Sequence, residues 1–364
     1  MSKKTTAYLG LGSNLGDKAA NIQSALEMLK KNVRISLERT SRTVKTMPLG
    51  GKNQNDYLNA VAKIKTDLIP HVLLETTKQI ERSIGRQPAT EKWDNREIDI
   101  DILFFGDEII NTESLTVPHP QLHLRSFVLD GLCELEPGLM HPILKDTVSV
   151  LAERLGGGDF FFDPEKPQLI CIAGVIGAGK TTLSQAIAER LKCETIKEEY
   201  SVNPFLADVY AGNNALALDS QLFFLISRVE QLNPANLGAG RVVVSDYIID
   251  KEKIYASAWL NNDQLKLYNK INAQMCKSVA VPAVVVYLKL DPAKCLERIH
   301  SRNRLYEQQI GLEFLETLHA GYENIFSNWT ASPLLRVDAS AHDFRQTDQA
   351  DEFVKKIKAY IFGA

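Results

Sequence analysis

Residues Gly174, Gly177, Ala178, Gly179, Lys180 and Thr181 stand in the order GVIGAGKT and keep every fixed position of the pattern GxxxxGKS/T. Glycines at this spacing let successive backbone N–H groups turn onto phosphate oxygens, and a helix opening at the end of the loop adds partial positive charge. Lys180 reaches the terminal phosphates of a nucleoside triphosphate in such a loop, Thr181 offers its hydroxyl to Mg2+, and Thr182 continues the phosphate-binding turn. A glycine turn without a ligand is the plain alternative. Against it, an apolar strand is expected just before the loop, at 169–173, and an amphipathic helix just after it, at 181–191. A second set of chemical residues lies far upstream. Ile98-Asp99-Ile100-Asp101-Ile102 alternates strictly, so both aspartates leave one face of a strand. Paired carboxylates can bridge hard cations, and oxygen ligands suit Mg2+. Arg96 and Arg86 lie nearby. Metal ions neutralising a polyphosphate, with arginines around them, make a phosphoryl-transfer site. Spacing alone leaves a solvated strand edge equally open.

These residues need two separate scaffolds to position them. The first opens with a strand at 6–11, a glycine turn at 10–14 and a helix at 18–31 with apolar residues at 22, 25, 26 and 29. A further helix starts at Pro70, with Val72, Leu73, Leu74, Ile80 and Ile84 as its buried side. The aspartate strand follows at 98–105. Three glycines (156–158) and two prolines (Pro164, Pro167) then punctuate the chain. Phe160, Phe161 and Phe162 between them are expected to dock this linker on a domain. Strand, glycine loop and helix restart after it, with buried strands at 242–245 and 283–290. Strands alternating with helices predict a parallel sheet covered on both faces. The expected domains are 1–158 and 168–364, joined by a linker at 159–167. The length of 364 residues agrees with two domains.

Composition narrows the setting. Hydrophobic residues make 45% and charged residues 24%, as in ordinary globular proteins. A net charge of -3 gives no sign of a nucleic-acid partner. The five cysteines are scattered without a CxxC pair, which argues against disulfides and structural zinc. The N-terminus lacks a signal-peptide pattern, and the longest apolar run, 279–290, is too short to span a bilayer and holds Pro282. A cytoplasmic protein is expected.

Beyond the P-loop, residues 165–364 resemble the deoxyribonucleoside kinase family. Glu198 precedes Asn203-Pro204-Phe205-Leu206, where the family has an acid that acts as base on the nucleoside 5′-hydroxyl. Tyr210, Gln221 and Arg228 match its sugar- and base-binding positions. Gln221 and Arg228 lie seven residues apart, about two helical turns, and so share a face. Asp246 matches an acidic residue near Mg2+, but the arginine that follows in the family is missing, since Tyr247 and Ile248 stand there. That departure resembles a bacterial purine deoxynucleoside kinase subgroup. Arg298, Arg302 and Arg304 resemble the family lid and imply stabilisation of the transferring phosphoryl group. Glu307 matches the acid that holds the sugar 3′-hydroxyl. Asp250 is placed to read the base. The resemblance implies a homodimer through a helical face and a purine substrate, deoxyadenosine before deoxyguanosine.

Residues 5–155 resemble 6-hydroxymethyl-7,8-dihydropterin pyrophosphokinase. The motifs are LGLGSNL at 9–15, Pro48-Leu49-Gly50, Asp56-Tyr57-Leu58-Asn59-Ala60, Ile80-Glu81 with Gly85-Arg86, Arg96 to Asp101, and Val117-Pro118-His119 with Arg125 and Phe127. The resemblance implies a ferredoxin-like α+β fold and transfer of pyrophosphate from ATP to the pterin hydroxymethyl, with AMP released. It implies two Mg2+ on Asp99 and Asp101, the pterin ring between Tyr57 and Phe127, and Asn59 on its polar edge with the backbone near Thr46 and Leu49. Glu81, Arg86, Trp93, Arg96, His119 and Arg125 match ATP-side positions. Pro88 stands where an arginine often sits, with Lys92 in partial compensation. The expectation is a bifunctional α/β enzyme using ATP and Mg2+ on small-molecule substrates, with no membrane partner. Two alternatives stay open: a non-catalytic docking role for the first domain, and a nucleoside monophosphate as acceptor in the second.

Overall fold

The structure is a computed structural model and describes residues 4–48, 54–86, 95–304 and 307–362. It divides into two compact units, one through Phe161 and one from Phe162 to Phe362.

The first unit is built on β1 (Thr5–Ser13), α1 (Lys18–Lys31), β2 (Ile35–Thr40), β3 (Val44–Thr46), β4 (Tyr57–Thr66), α2 (Pro70–Ile84) and β5 (Asp99–Phe105). The strands pair antiparallel in the order β2-β4-β1-β5, with β3 added beside β4. This is the ferredoxin-like arrangement. Helices α1 and α2 pack on one face of the sheet, and Ile98, Ile100 and Ile102 join their core with Leu9, Leu11 and Leu73. The alternation of β5 therefore leaves Asp99 and Asp101 for the opposite face. A short hairpin, β6 (Ile110–Asn111) and β7 (Thr116–Val117), precedes α3 (Ser126–Leu135) and α4 (Val148–Leu155), and α3 packs on β4. The segment after α4 stays with this unit: the Ser126 N–H donates to Oδ1 of Asp159 at 2.6 Å, and the Phe160 N–H donates to the Leu124 carbonyl at 2.7 Å. Val72, read as part of the buried side of α2, is 41% exposed. The inward stripe of α2 runs through Leu73, Thr77, Ile80 and Glu81, so two polar residues hold positions that apolar spacing gave to others.

The second unit contains β8 (Gln168–Ala173), α5 (Lys180–Leu191), β9 (Glu194–Ile196), α6 (Leu206–Tyr210), α7 (Ala217–Gln231), α8 (Pro234–Leu237), β10 (Val242–Ser245), α9 (Lys251–Trp259), α10 (Asn262–Met275), β11 (Val284–Lys289), α11 (Pro292–Arg302), α12 (Leu312–Ser327), β12 (Leu334–Asp338) and α13 (Thr347–Phe362). Its five strands are all parallel in the order β12-β11-β8-β10-β9. Every residue of β8 is buried, as expected for a central strand covered on both faces. Among the described residues no helix is long and apolar enough to cross a membrane. All five cysteines are free thiols.

Candidate active sites

In the second unit β8 has β10 on one side and β11 on the other, so connections leave in opposite directions and a crevice opens beyond its carboxyl end. The loop 174–179 turns there into α5. Gly174 has φ +146, and a Cβ on it would stand 2.7 Å from the Leu288 carbonyl oxygen; Gly177 has φ +87, and a Cβ there would stand 2.6 Å from that of Cys295. Neither place admits a side chain. Lys180 Nζ donates to the Val175 carbonyl at 3.1 Å and so folds over its own loop. Burial pushes the pKa of its ammonium down to about 8, with the nearby Asp246 carboxylate opposing. Thr181 Oγ1 donates to Oδ2 of Asp246 at 2.9 Å, and Oδ1 accepts from the Glu198 N–H at 3.1 Å. One carboxylate at the end of β10 thus joins the start of α5 to the segment after β9.

Glu198 is held from two sides. Arg228 Nη2 donates to its Oε1, and Lys251 Nζ lies 2.9 Å from Oε1 and 2.7 Å from Oε2. Arg228 is itself fixed: its Nη1 donates to Glu252, which also accepts from the Tyr268 hydroxyl, and its guanidinium sits 4.5 Å from the centre of the Phe224 ring. Burial disfavours charge on Arg228 and Lys251, and the two carboxylates offset that cost. A cavity of about 880 Å³ runs from the loop past Glu198 to an end walled by Tyr210, Phe224, Tyr255 and Trp259. Gln221 reaches it from α7 with a buried Oε1 that has no hydrogen-bond partner.

Arg298, Arg302, Arg304 and Glu307 line the same cavity. Arg298 leans on the loop, donating to the Ala178 carbonyl at 3.4 Å. Arg302 Nε instead donates to Glu307 at 2.6 Å, while Arg304 lies 3.6 Å from Glu307 and over the Tyr200 ring at 4.9 Å. Asp250, expected to read a base, does not line the cavity. It opens α9 within 3.9 Å of Lys253, and burial pushes its carboxyl pKa up. Lys251, one residue on, points inward in its place.

In the first unit Asp99 and Asp101 of β5 stand opposite Gly12 and Gly10 of β1. Asp99 is ion-paired to Arg86 and to Arg96 Nη1, the latter at 2.7 Å. Burial raises its pKa, but the Arg96 and Arg86 charges outweigh burial and hold the carboxyl below its usual range. Asp101 is more open, its side chain 38% exposed, with His119 Nε2 3.9 Å away. Burial lowers the pKa of His119, and Asp101 opposes that shift. Glu81 is not at the ligand face to which the resemblance assigned it. It is 1% exposed, and its Oε1 accepts from the Ile100 N–H at 2.7 Å and pairs with Arg86 at 2.7 Å. It supports β5 and Arg86 from behind.

Thr46, Tyr57, Asn59, Arg96, Asp99, Asp101, Arg125 and Phe127 line one cavity of about 150 Å³. Asn59 Nδ2 donates to Thr46 Oγ1 at 2.9 Å, which turns its Oδ1 toward Gly12. Gln54 also lines this cavity with a buried, unpartnered Oε1, as does Arg125 with its Nε unpartnered. Nothing in its sequence pattern marks Gln54. Leu49 and Trp93, with Pro88 and Lys92, fall outside the described residues.

Both sites suit Mg2+ by donor chemistry. The first offers two carboxylates on one strand face, the second a hydroxyl and a carboxylate in contact. Among the described residues no cluster of three or more His, Cys, Asp or Glu placed to hold a metal ion occurs. Mg2+ bound at either would keep water and phosphate oxygens among its ligands.

The family model for 7,8-dihydro-6-hydroxymethylpterin-pyrophosphokinase matches residues 8–137, and that for deoxynucleoside kinase matches residues 170–361. The chain is 45% identical over 140 residues to 2-amino-4-hydroxy-6-hydroxymethyldihydropteridine pyrophosphokinase of Aquifex aeolicus, spanning 38% of this chain and 86% of that protein. It is 42% identical over 152 residues to the enzyme of the same name from Haemophilus influenzae, spanning 41% and 94%. Among solved structures it is similar to deoxyadenosine kinase from M. mycoides with bound dCTP, at 26% identity over 52% of this chain and 98% of that chain, with a TM-score of 0.46. The same enzyme with bound dATP gives 26% identity, 50% and 95% coverage, and a TM-score of 0.45.

Proposed function

The chain belongs to the hydroxymethyldihydropterin pyrophosphokinase family through its first unit and to the deoxynucleoside kinase family through its second, and from that premise we propose a bifunctional enzyme with two ATP-dependent active sites. The observation that carries this reading is that each unit has its own anion-binding residues beside its own acceptor cavity.

In the first unit the hydroxymethyl oxygen of 6-hydroxymethyl-7,8-dihydropterin bonds to the β-phosphorus of ATP, and the bond to AMP breaks. Tyr57 and Phe127 flank the flat ring by stacking. Asn59, oriented by Thr46, presents its Oδ1 to the ring's polar edge. Arg86, Arg96, Arg125 and His119 face the triphosphate, with Trp93 assigned there and the Leu49 backbone assigned to the pterin edge by resemblance, and Asp99 and Asp101 would hold two Mg2+. When bound, the ions would neutralise phosphate charge and orient the triphosphate.

In the second unit the 5′-oxygen of a deoxynucleoside bonds to the γ-phosphorus and ADP leaves. Glu198 takes the hydroxyl proton. The loop N–H groups and Lys180 hold the β- and γ-phosphates, and Thr181 and Asp246 hold Mg2+. Arg298, Arg302 and Arg304 take up charge developing on the transferred group. Arg302 leaves Glu307 to do so, which a sugar hydroxyl engaging Glu307 favours. Gln221 supports an adenine. A side-chain amide pairs its acceptor and donor with adenine's N6 and N7, whereas guanine shows two acceptors on that edge. Deoxyadenosine is therefore proposed before deoxyguanosine. A homodimer through the helical face of this unit is proposed on resemblance, and sedimentation at twice 40.7 kDa is expected.

The test is product analysis on the purified chain with ATP and Mg2+. Hydroxymethyldihydropterin is expected to elicit AMP, and among four deoxynucleosides deoxyadenosine is expected to be phosphorylated fastest. No AMP above background would reduce the first unit to a docking module. Phosphorylation of a nucleoside monophosphate instead of a nucleoside would change the second unit's class.

A further inference from the structure

Lys251 has no role in the sequence reading, yet it occupies a demanding position. It is 2% exposed, it lines the cavity of the second unit, and its ammonium lies within hydrogen-bond distance of both oxygens of Glu198. Burying an ammonium costs several kcal/mol unless a partner offsets it. A lysine at the start of a helix can reach water simply by facing outward. Here it shares the inward face of α9 with Ile254 and Tyr255, and its Nζ lies 4.6 Å from the centre of the Tyr255 ring. Tyr247 and Ile248, which follow Asp246, are buried, and Tyr247 donates its hydroxyl to Gln231. The first cation that this segment presents to Glu198 is therefore Lys251.

The two cations on Glu198 act differently. Arg228 touches Oε1 only, and Glu252 anchors it from behind. A contact to one oxygen leaves the carboxylate free to turn about its last torsion, which is broad and soft. Lys251 spans both oxygens and fixes the plane. A proton acceptor must present a defined lone pair at about 2.6–3.2 Å from the hydroxyl it serves. We propose that Lys251 is a positioning residue for the kinase reaction: it orients the Glu198 carboxylate toward the acceptor hydroxyl and acts through Glu198 rather than on either substrate. This rests on Glu198 as the proton acceptor.

The test is steady-state kinetics on the full chain for Lys251→Met, Lys251→Arg, Glu198→Gln and the double variant Lys251→Met with Glu198→Gln. Lys251→Met is expected to lower kcat about 100-fold, with KM for deoxynucleoside and ATP held within about threefold. Lys251→Arg is expected to recover at least about tenfold of that loss, because it restores a cation able to bridge both oxygens. With Glu198→Gln in place, removing Lys251 is expected to cost less than about threefold, the signature of a residue acting through another. If Lys251→Met shows no cooperative unfolding transition, Lys251→Gln, which keeps a polar head in the buried site, replaces it. Turnover near wild type in the charge-removing variant overturns the proposal, and so does a loss shared equally by both KM values. The same loss repeated in the Glu198→Gln background overturns it too. A fast Glu198→Gln enzyme removes the proton-acceptor reading itself. A slow one without coupling removes only the role of Lys251.

Discussion

Replacing Glu198 with Gln keeps the shape of the side chain and removes its capacity to accept a proton from the nucleoside. Deoxynucleoside phosphorylation is expected to fall about 10³-fold, within the range that general bases supply. ATP affinity is expected to persist, because the loop contacts of Gly174 to Thr181 do not involve the Glu198 side chain and Asp246 meets only the Glu198 backbone N–H. Turnover and an ATP-binding isotherm on one preparation separate the two effects. In the first unit the telling residue is Gly12. Its backbone needs no special conformation, but a Cβ there would stand 2.9 Å from Asn59 Oδ1, and Asn59 is tied to Thr46 at 2.9 Å. Gly12→Ala is therefore expected to swing the amide away from the ring that it is proposed to read. KM for the pterin is expected to rise about tenfold or more, the value of roughly one hydrogen bond to a well-placed group, with KM for ATP nearly unchanged. Equal rises in both would show that the glycine serves the phosphates instead.

Among the elements, the loop after α3 carries an acid-sensitive contact. His141 is 4% exposed, its Nδ1 accepts the N–H groups of Ile143 and Leu144, and its ring meets Phe104 edge-on at 5.6 Å. Burial, followed by the charge of His123, lowers its pKa from 6.5 to about 3. Between those values the unfolded chain binds a proton that the folded unit does not. Stability is thus full above the unfolded pKa and falls as pH drops, by up to about 1.4 kcal/mol per pH unit. His141→Asn keeps an acceptor for the two N–H groups without titrating, so the unfolding temperature of the first unit is expected to fall less between pH 6 and pH 4. Parallel pH profiles for the two proteins would rule out this group. The legibility of the fold followed the same physics of faces. Asp99 and Asp101 were readable because β5 buries one face, so strict alternation fixes direction. Gln221 and Arg228 were readable as a pair because two turns of α7 return to one side. Asp250 and Lys251 were not separable, since neighbouring helix positions differ by about 100° and the phase of a nine-residue helix rests on few apolar residues. Ile254 and Tyr255, three and four residues after Lys251, carried the clue. Glu81, assigned to a ligand face by resemblance, and Thr77 are likewise polar residues buried in the stripe of α2.

For the whole molecule, a net charge of -3 conceals local clusters of arginine, one in each unit, because they are paired with carboxylates. The two units use different devices for one ligand. The second offers backbone N–H groups in a glycine loop at the end of a parallel strand, while the first sets side chains on the open face of an antiparallel sheet. The two proposed reactions break different bonds of ATP, so the products would report which site worked. One assay tests the central claim most directly: the full chain with ATP, Mg2+, hydroxymethyldihydropterin and deoxyadenosine, with AMP, ADP and dAMP separated, run on wild type, Lys180→Ala and Asp101→Ala. Wild type is expected to form all three nucleotides. Lys180→Ala is expected to lose dAMP and ADP by at least about 100-fold and keep AMP, and Asp101→Ala is expected to do the reverse. Loss of both reactions in either variant, or AMP formation that survives Asp101→Ala, would contradict two self-sufficient active sites in one chain.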